Sequence, residues 1–278
     1  MPIATLKKLM NEAKEEHRCV PAFHVASLDM IRAAVRASEQ LDYPVVIQIT
    51  EKFLSYAPLE LIGPAMVTAA ENASTMICVN LDMGHYEALF QQAMDLGFTS
   101  VMYDGSRKSF PDNIRFTHRV VEMAEPYGVS CEAVLHGKEP EEAASDHWSL
   151  TDPAIVKEFC ESTGIDGLVV SAGNMPRHQL PEGGLHIKRI RDIAAQTDLP
   201  LILQGGSGIS DADCRKAIQA GICKINYATE NFRAITLAAE QYLHGTEDPG
   251  YLEMKRLMLE SMYERAIRRI QLLSEPAR

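Results

Sequence analysis

The sequence predicts an α/β protein built as a single (β/α)8 barrel with extra terminal helices, and three observations carry that expectation. Short apolar runs alternate with longer helical patterns along the chain, as βα units and a parallel sheet require. Eight such runs can be counted, the number that closes a barrel. The 278 residues suit one barrel of this type, which commonly needs about 250 residues. No Pro/Gly/Ser linker or low-complexity segment divides them, so residues 1–278 are expected to form one domain.

The elements follow in order. Met1 to Glu16 has an amphipathic helical pattern with lysines and glutamates and lacks the apolar centre of a signal peptide. Cys19 to Val25 is the first expected strand, Leu28 to Leu41 the helix after it, and Pro44 to Ile49 the second strand. Met76 to Leu81 precedes a helix over His85 to Leu96, and Ser100 to Asp104 precedes one over Asn113 to Tyr127. Ser130 to Leu135, Gly167 to Ser171 and Leu199 to Leu203 continue the series. Ser210 is the expected N-cap of a helix over Asp211 to Ala220, with Asp211 in its first turn. Cys223 to Tyr227 is the eighth strand. Tyr251 to Leu273 reads as a helix against the barrel or a neighbouring subunit, with Met254, Leu257, Met258 and Met262 as its core or interface stripe.

Composition narrows the function. A hydrophobic fraction of 46% supplies a sizeable core, and a net charge of -11 argues against nonspecific binding to nucleic acid or an anionic membrane. No stretch is long enough to span a bilayer. Six cysteines without paired metal spacing read as buried free thiols, so a reducing cytoplasm is the expected compartment.

A barrel places its chemistry at the C-terminal ends of its strands. The polar residues that gather there are His24, Gln48, Thr50, Asp82, His85, Asp104, Ser106, Glu132, His136, Asn174, Arg177, His178, Gln204, Ser207, Asn226 and Thr229. The loop Gln204-Gly205-Gly206-Ser207-Gly208 follows an apolar run, the arrangement by which a buried strand offers backbone N–H groups to a phosphate. The next run ends in Asn226-Tyr227-Ala228-Thr229-Glu230, so two consecutive strand ends can share one anion.

With these residues the chain resembles the class II, zinc-dependent ketose-bisphosphate aldolases. The matching motifs, in the family's order, are Phe98 to Ser106, Thr151-Asp152-Pro153, Thr163-Gly164-Ile165-Asp166, Gly205 to Gly208 and Lys224-Ile225-Asn226. The resemblance implies a phosphate site of Gly205, Gly206, Ser207, Asn226, Tyr227, Ala228 and Thr229, and an acid/base aspartate at Asp82 in Leu81-Asp82-Met83-Gly84. It also implies zinc ligands that this chain lacks: Met83, Pro176 and Gln204 stand where the family has histidines, and Val134 where it has a glutamate. Arg177 replaces a family glycine, and Phe23-His24-Val25 departs from the family's Phe-Asn-Val.

Thioether, proline, valine and amide side chains cannot assemble a catalytic zinc set, so no metal and no cofactor are expected. His85, His136 and His178 each lie two residues past a lost ligand; they are either a displaced metal site or rim histidines. His24 is either a core histidine bonded to backbone or a partner that replaces the metal; Asp82 is either structural or the base. Lys224 and, more weakly, Lys52 are alternative Schiff-base lysines, with a structural role favoured for Lys224.

The catalytic expectation is therefore Asp82, His24 and Gln204, with Gln48, Thr50, Asp104, Asn174, Arg177 and His178 as further substrate contacts. The expected partner is a phosphorylated small molecule, without nucleic acid or membrane, for a homo-oligomer. Two functions stand: a metal-independent enzyme that cleaves or isomerises a phosphorylated ketose or keto-acid sugar through an enediolate, and a noncatalytic phosphosugar-binding or regulatory homologue.

Overall fold

A computed structural model describes residues 3–137, 150–173 and 184–276. Its described strands are β1 (Val20–His24), β2 (Val45–Thr50), β3 (Ile77–Gly84), β4 (Ser100–Tyr103), β5 (Ser130–Leu135), β6 (Gly167–Val170), β7 (Leu201–Leu203) and β8 (Ile222–Tyr227). They close in chain order into one barrel, every pair parallel and β8 against β1. The helices are α1 (Leu6–Glu15), α2 (Leu28–Leu41), α3 (Leu59–Asn72), α4 (Glu87–Asp95), α5 (Phe110–Ala124), α6 (Pro153–Thr163), α7 (Ile187–Ala194), α8 (Asp211–Gln219), α9 (Thr229–Gly245) and α10 (Tyr251–Ser274). The predicted TIM barrel is thus the observed fold, with α1 and α10 added at its ends.

Strand side chains alternate between the barrel lumen and the helical ring. Phe23, Ile47, Val79, Leu81 and Val101 face outward into the core shared with the helices. Val20, Ala22, Val46, Cys78, Met102, Val134, Val169 and Ile202 face inward and pack with Leu6, Leu9 and Met10, so α1 plugs the N-terminal end of the lumen. Higher in the lumen the same inward positions turn polar: His24 pairs in register with Gln48, Gln48 with Asn80, and Thr50 with Asp82.

The expected boundaries move for local reasons. β7 starts at Leu201 rather than Leu199, because Pro200 has no N–H; its carbonyl accepts from the Leu168 amide at 3.1 Å. β3 runs on to Gly84, and its pairing with β4 shifts between Leu81 and Gly84. α4 begins at Glu87 rather than His85, whose amide donates to Glu51 Oε2 at 2.8 Å. α5 begins at Phe110, capped by Ser109, and the expected extension to Tyr127 is a 3-10 turn over Glu125–Tyr127. α2 spans Leu28–Leu41 as expected, and Ser210 caps α8 by accepting from the Asp213 amide. α10 lies on the barrel, packed on α2, α9 and β1. All six cysteines are free and buried, and among the described residues no helix is long and apolar enough to cross a membrane.

Candidate active site

A cleft of about 900 Å³ opens at the C-terminal ends of β1, β2, β3, β7 and β8. Its floor holds His24, Thr50, Asp82, Gln204 and Asn226; Phe53, Tyr56, Phe232, Lys52 and Arg233 line its outer part. Asp82 is fully buried within its own residue shell yet borders the cleft, the placement expected of a reacting carboxylate at a strand end. Its two oxygens are both engaged: Oδ2 faces His24 Nε2 at 2.8 Å, and Oδ1 accepts from Gln204 Nε2 at 3.1 Å. Gln204 Nε2 also lies 3.5 Å from Met102 Sδ, a weak acceptor that a substrate oxygen can outcompete. The three residues expected to carry the chemistry therefore meet at one point, although they come from β1, β3 and the end of β7.

The side expected to bind an anion is built by the turn Gly206–Gly208 and the first turn of α9. Gly205 holds φ 70°, the left-handed conformation that glycine adopts without steric cost. Gly206 lies so close to β8 that a Cβ there would sit 2.4 Å from Ile225 Cγ2 and 2.8 Å from Tyr227 Cε1. Ser207 Oγ accepts from the Glu230 amide at 3.1 Å, which leaves its hydroxyl hydrogen for a ligand. The N-cap residue of α9, Ala228, offers no side-chain cap, and the Asn226 side-chain amide, 2% exposed, has no partner among the described residues. A helix N-terminus whose N-cap residue offers no side-chain acceptor, beside an unpartnered buried amide, suits a phosphate oxygen. Gly206→Ala should push this turn off β8 and weaken inorganic phosphate or triose phosphate binding about tenfold or more, since overpacking costs about 1–3 kcal/mol. Calorimetric titration of both proteins checks it; unchanged affinity would refute the role of the turn.

Arg269 of α10 supports this site from behind. Its guanidinium grips Glu230 at 2.6 and 2.7 Å, reaches Asp211 at 2.9 Å and lies 4.9 Å from the centre of the Tyr227 ring. It thereby ties the first turns of α8 and α9 together. Burial pulls its pKa down, but Glu230 and its other neighbours leave it above the ordinary value.

Other expected residues fall elsewhere. Gln48 is fully buried beneath the cleft, against His24 and Asn80, rather than at the substrate surface. Tyr227 and Gly206 do not line the cleft: the Tyr227 side chain faces the helical ring, where it packs on Phe23. Asp104 is outside the cleft as well, bonded by the Ser106 amide and 3.6 Å from His85 Nε2. His85 bridges Asp104 and Glu51; the Asp104 bond raises its pKa above the ordinary value, burial opposing. Lys224 does not open into the cleft but is fully buried against Glu132 at 2.6 Å, a structural pairing that leaves no route to a Schiff base. Lys52 does line the cleft. Asn174, Pro176, Arg177 and His178 lie outside the described residues.

The zinc that the resemblance implies does not fit the described donors. Met83 offers a thioether, Val134 a hydrocarbon, and the Gln204 amide turns its N–H toward Asp82. Met83 also holds φ 53°, a conformation that costs a non-glycine residue about 1–3 kcal/mol. Among the described residues no group of three or more His, Cys, Asp or Glu side chains converges on a metal position, and His85 is engaged by two carboxylates.

Sequence reasoning missed Asn80, Arg269 and the cleft-lining Phe53, Tyr56, Phe232 and Arg233. Asn80 was signalled by an amide two positions before Asp82 inside an apolar run; Arg269, on a distant helix, had no local signal.

The class II fructose-bisphosphate aldolase family model matches residues 4–277. The fructose-bisphosphate aldolase of Staphylococcus epidermidis is 33% identical over 255 residues, covering 89% of this chain and 88% of that protein. The uncharacterized protein YdjI of Escherichia coli K12 is 32% identical over 274 residues, covering 97% of each chain. The crystal structure of the E. coli K12 YdjI aldolase matches with a TM-score of 0.87 at 30% identity, covering 98% of this chain and 97% of that one.

Proposed function

The chain belongs to the class II fructose-bisphosphate aldolase family, and from that premise we propose that it is an aldolase-type enzyme acting on a phosphorylated ketose or keto-acid sugar through an enediolate, without the family's zinc. The observation that carries this reading is Asp82, a carboxylate bordering the cleft between His24 and Gln204, next to the phosphate turn. A structure that needed only to bind a phosphosugar gains nothing from a buried carboxylate there.

Asp82 moves the proton at the carbon next to the substrate carbonyl. His24 holds Asp82 in position through its Nε2–H; as Asp82 takes up the substrate proton it becomes a poorer acceptor, and that N–H turns to the enediolate oxygen beside the second N–H of the Gln204 amide. Gly205, Ser207, Asn226 and the first turn of α9 hold the phosphate, which fixes the reacting carbon over Asp82. The missing donor set supports metal independence, and the buried free thiols support a cytoplasmic setting.

The test is solvent-deuterium exchange into a panel of ketose phosphates and phosphorylated keto-acid sugars, run beside elemental analysis of protein dialysed without chelator. Exchange that survives later chelator treatment, in protein without stoichiometric zinc, is the expected result. Stoichiometric zinc, with exchange lost on chelation, would overturn metal independence. Tight phosphosugar binding with no exchange across the panel would replace the enzyme reading with that of a binding protein.

A further inference from the structure

Beneath the cleft, a line of buried side chains crosses the lumen from β8 to β1. Lys224 Nζ donates to Glu132 Oε1 at 2.6 Å, and Asn80 Nδ2 donates to the same oxygen at 2.7 Å. Asn80 Nδ2 donates also to Gln48 Oε1 at 3.2 Å. Gln48 Nε2 in turn lies 3.2 Å from His24 Nδ1 and 3.3 Å from His24 Nε2, and His24 Nε2 lies 2.8 Å from Asp82 Oδ2. Lys224, Glu132, Asn80 and Gln48 are all fully buried, so water cannot substitute for any of these partners.

The links from Lys224 to Gln48 each admit one polarity. A carboxylate oxygen only accepts, so Asn80 must turn its nitrogen to Glu132. The second hydrogen of that nitrogen then points at Gln48, which must present its oxygen. Gln48 is left with its amide hydrogens toward His24; the Asp82 carboxylate takes the N–H of Nε2, so the lone pair that Gln48 meets is at Nδ1. The ring proton therefore sits on Nε2, where Asp82 accepts it. The Tyr227 carbonyl, 3.4 Å from Nδ1, is the competing acceptor that would select the other tautomer if the Gln48 amide reversed.

From this we infer that Lys224, Glu132, Asn80 and Gln48 are positioning residues that set the tautomer of His24 and so present its N–H to Asp82. Outer partners of a reacting group fix ring orientation and protonation in this way. The network leaves Asn80 Oδ1 and Glu132 Oε2 without partners among the described residues, which a purely structural arrangement would avoid. The inference rests on the reading of Asp82 and His24 as the proton-transfer pair.

Imidazole 15N spectra of the ligand-free protein at neutral pH test it, with the His24 signal assigned by its loss in His24→Gln. The wild type should show one tautomer, protonated at Nε2 and bare at Nδ1. Asn80→Leu removes the donor that holds the Gln48 oxygen, and should give mixed or Nδ1-protonated imidazole. Gln48→Glu puts an acceptor at Nδ1 and should protonate both nitrogens; it serves alone if Asn80→Leu fails to fold. In the exchange assay these folded variants should lose roughly 10–100-fold in kcat with KM little changed. A wild-type Nδ1–H tautomer, or a tautomer unmoved in folded variants, would overturn the inference even if wild-type exchange is normal. Absent wild-type exchange with the tautomer shifts intact would instead sink the enzyme reading and leave the relay standing.

Discussion

Asp82→Asn removes solvent-deuterium exchange at the carbon next to the carbonyl of a bound ketose phosphate. The substitution keeps the shape of the side chain between His24 and Gln204 but takes away the only carboxylate among the described residues that line the cleft. General acid–base transfer contributes roughly 10²–10⁴-fold in rate, and a loss of that size is expected here. Phosphate affinity should stay close to wild type, because the proposed anion site is the Gly206–Gly208 turn and α9, not Asp82. His24→Ala should slow exchange about a hundredfold, the usual cost of one lost donor to a developing oxyanion, again with phosphate binding kept. Exchange at the wild-type rate in Asp82→Asn would remove Asp82 from the mechanism.

The largest effect on stability is expected from Lys224→Met. It leaves the Glu132 carboxylate without its cation in a site where both side chains are fully buried. Removing one partner of a buried pair costs about 3–5 kcal/mol, whereas replacing both is often near neutral. Urea denaturation should therefore show a large loss in Lys224→Met and substantial recovery in Lys224→Met/Glu132→Leu. Burial already pushes the Glu132 pKa up, with Lys224 opposing and Asp82 adding to the rise. A carboxyl whose folded pKa is raised contributes stability below its unfolded pKa and loses it as pH rises through the folded value. The deficit of Lys224→Met should accordingly be smaller at acidic pH and grow as pH rises above the ordinary carboxylate range. A deficit that does not change with pH, or a double variant no more stable than the single, would contradict this account.

The recovered stability of the double variant also separates folding from positioning. The charged pair that starts the amide polarity would be gone, so that protein should be well folded while the His24 tautomer is no longer set.

Much of the architecture was legible because its signals are local. Alternation of apolar and polar residues marks a strand within a few positions, and the Ser210 cap acts on adjacent backbone. The glycine turn was legible too, since only glycine adopts φ 70° freely at Gly205 and only glycine fits against Ile225 at Gly206. Asp82, His24 and Gln204 could be named as strand-end polar residues once eight strands were counted.

The sequence alone thus determined the barrel, its glycine turn and which polar residues stand at its strand ends, because periodicity and turn chemistry depend on near neighbours. Tertiary structure alone decided what those residues touch. Closure of β8 on β1 brings Lys224 to Glu132 across 92 positions and Gln204 to Asp82 across 122, and packing of α10 places Arg269 behind the phosphate turn. It also moved Gln48 from the expected substrate surface to a place beneath His24, since its strand position fixes the face but not the depth in the lumen. Hydrogen-bond polarity along such a chain of amides is set by the charge at its far end, and only the closed barrel places that charge.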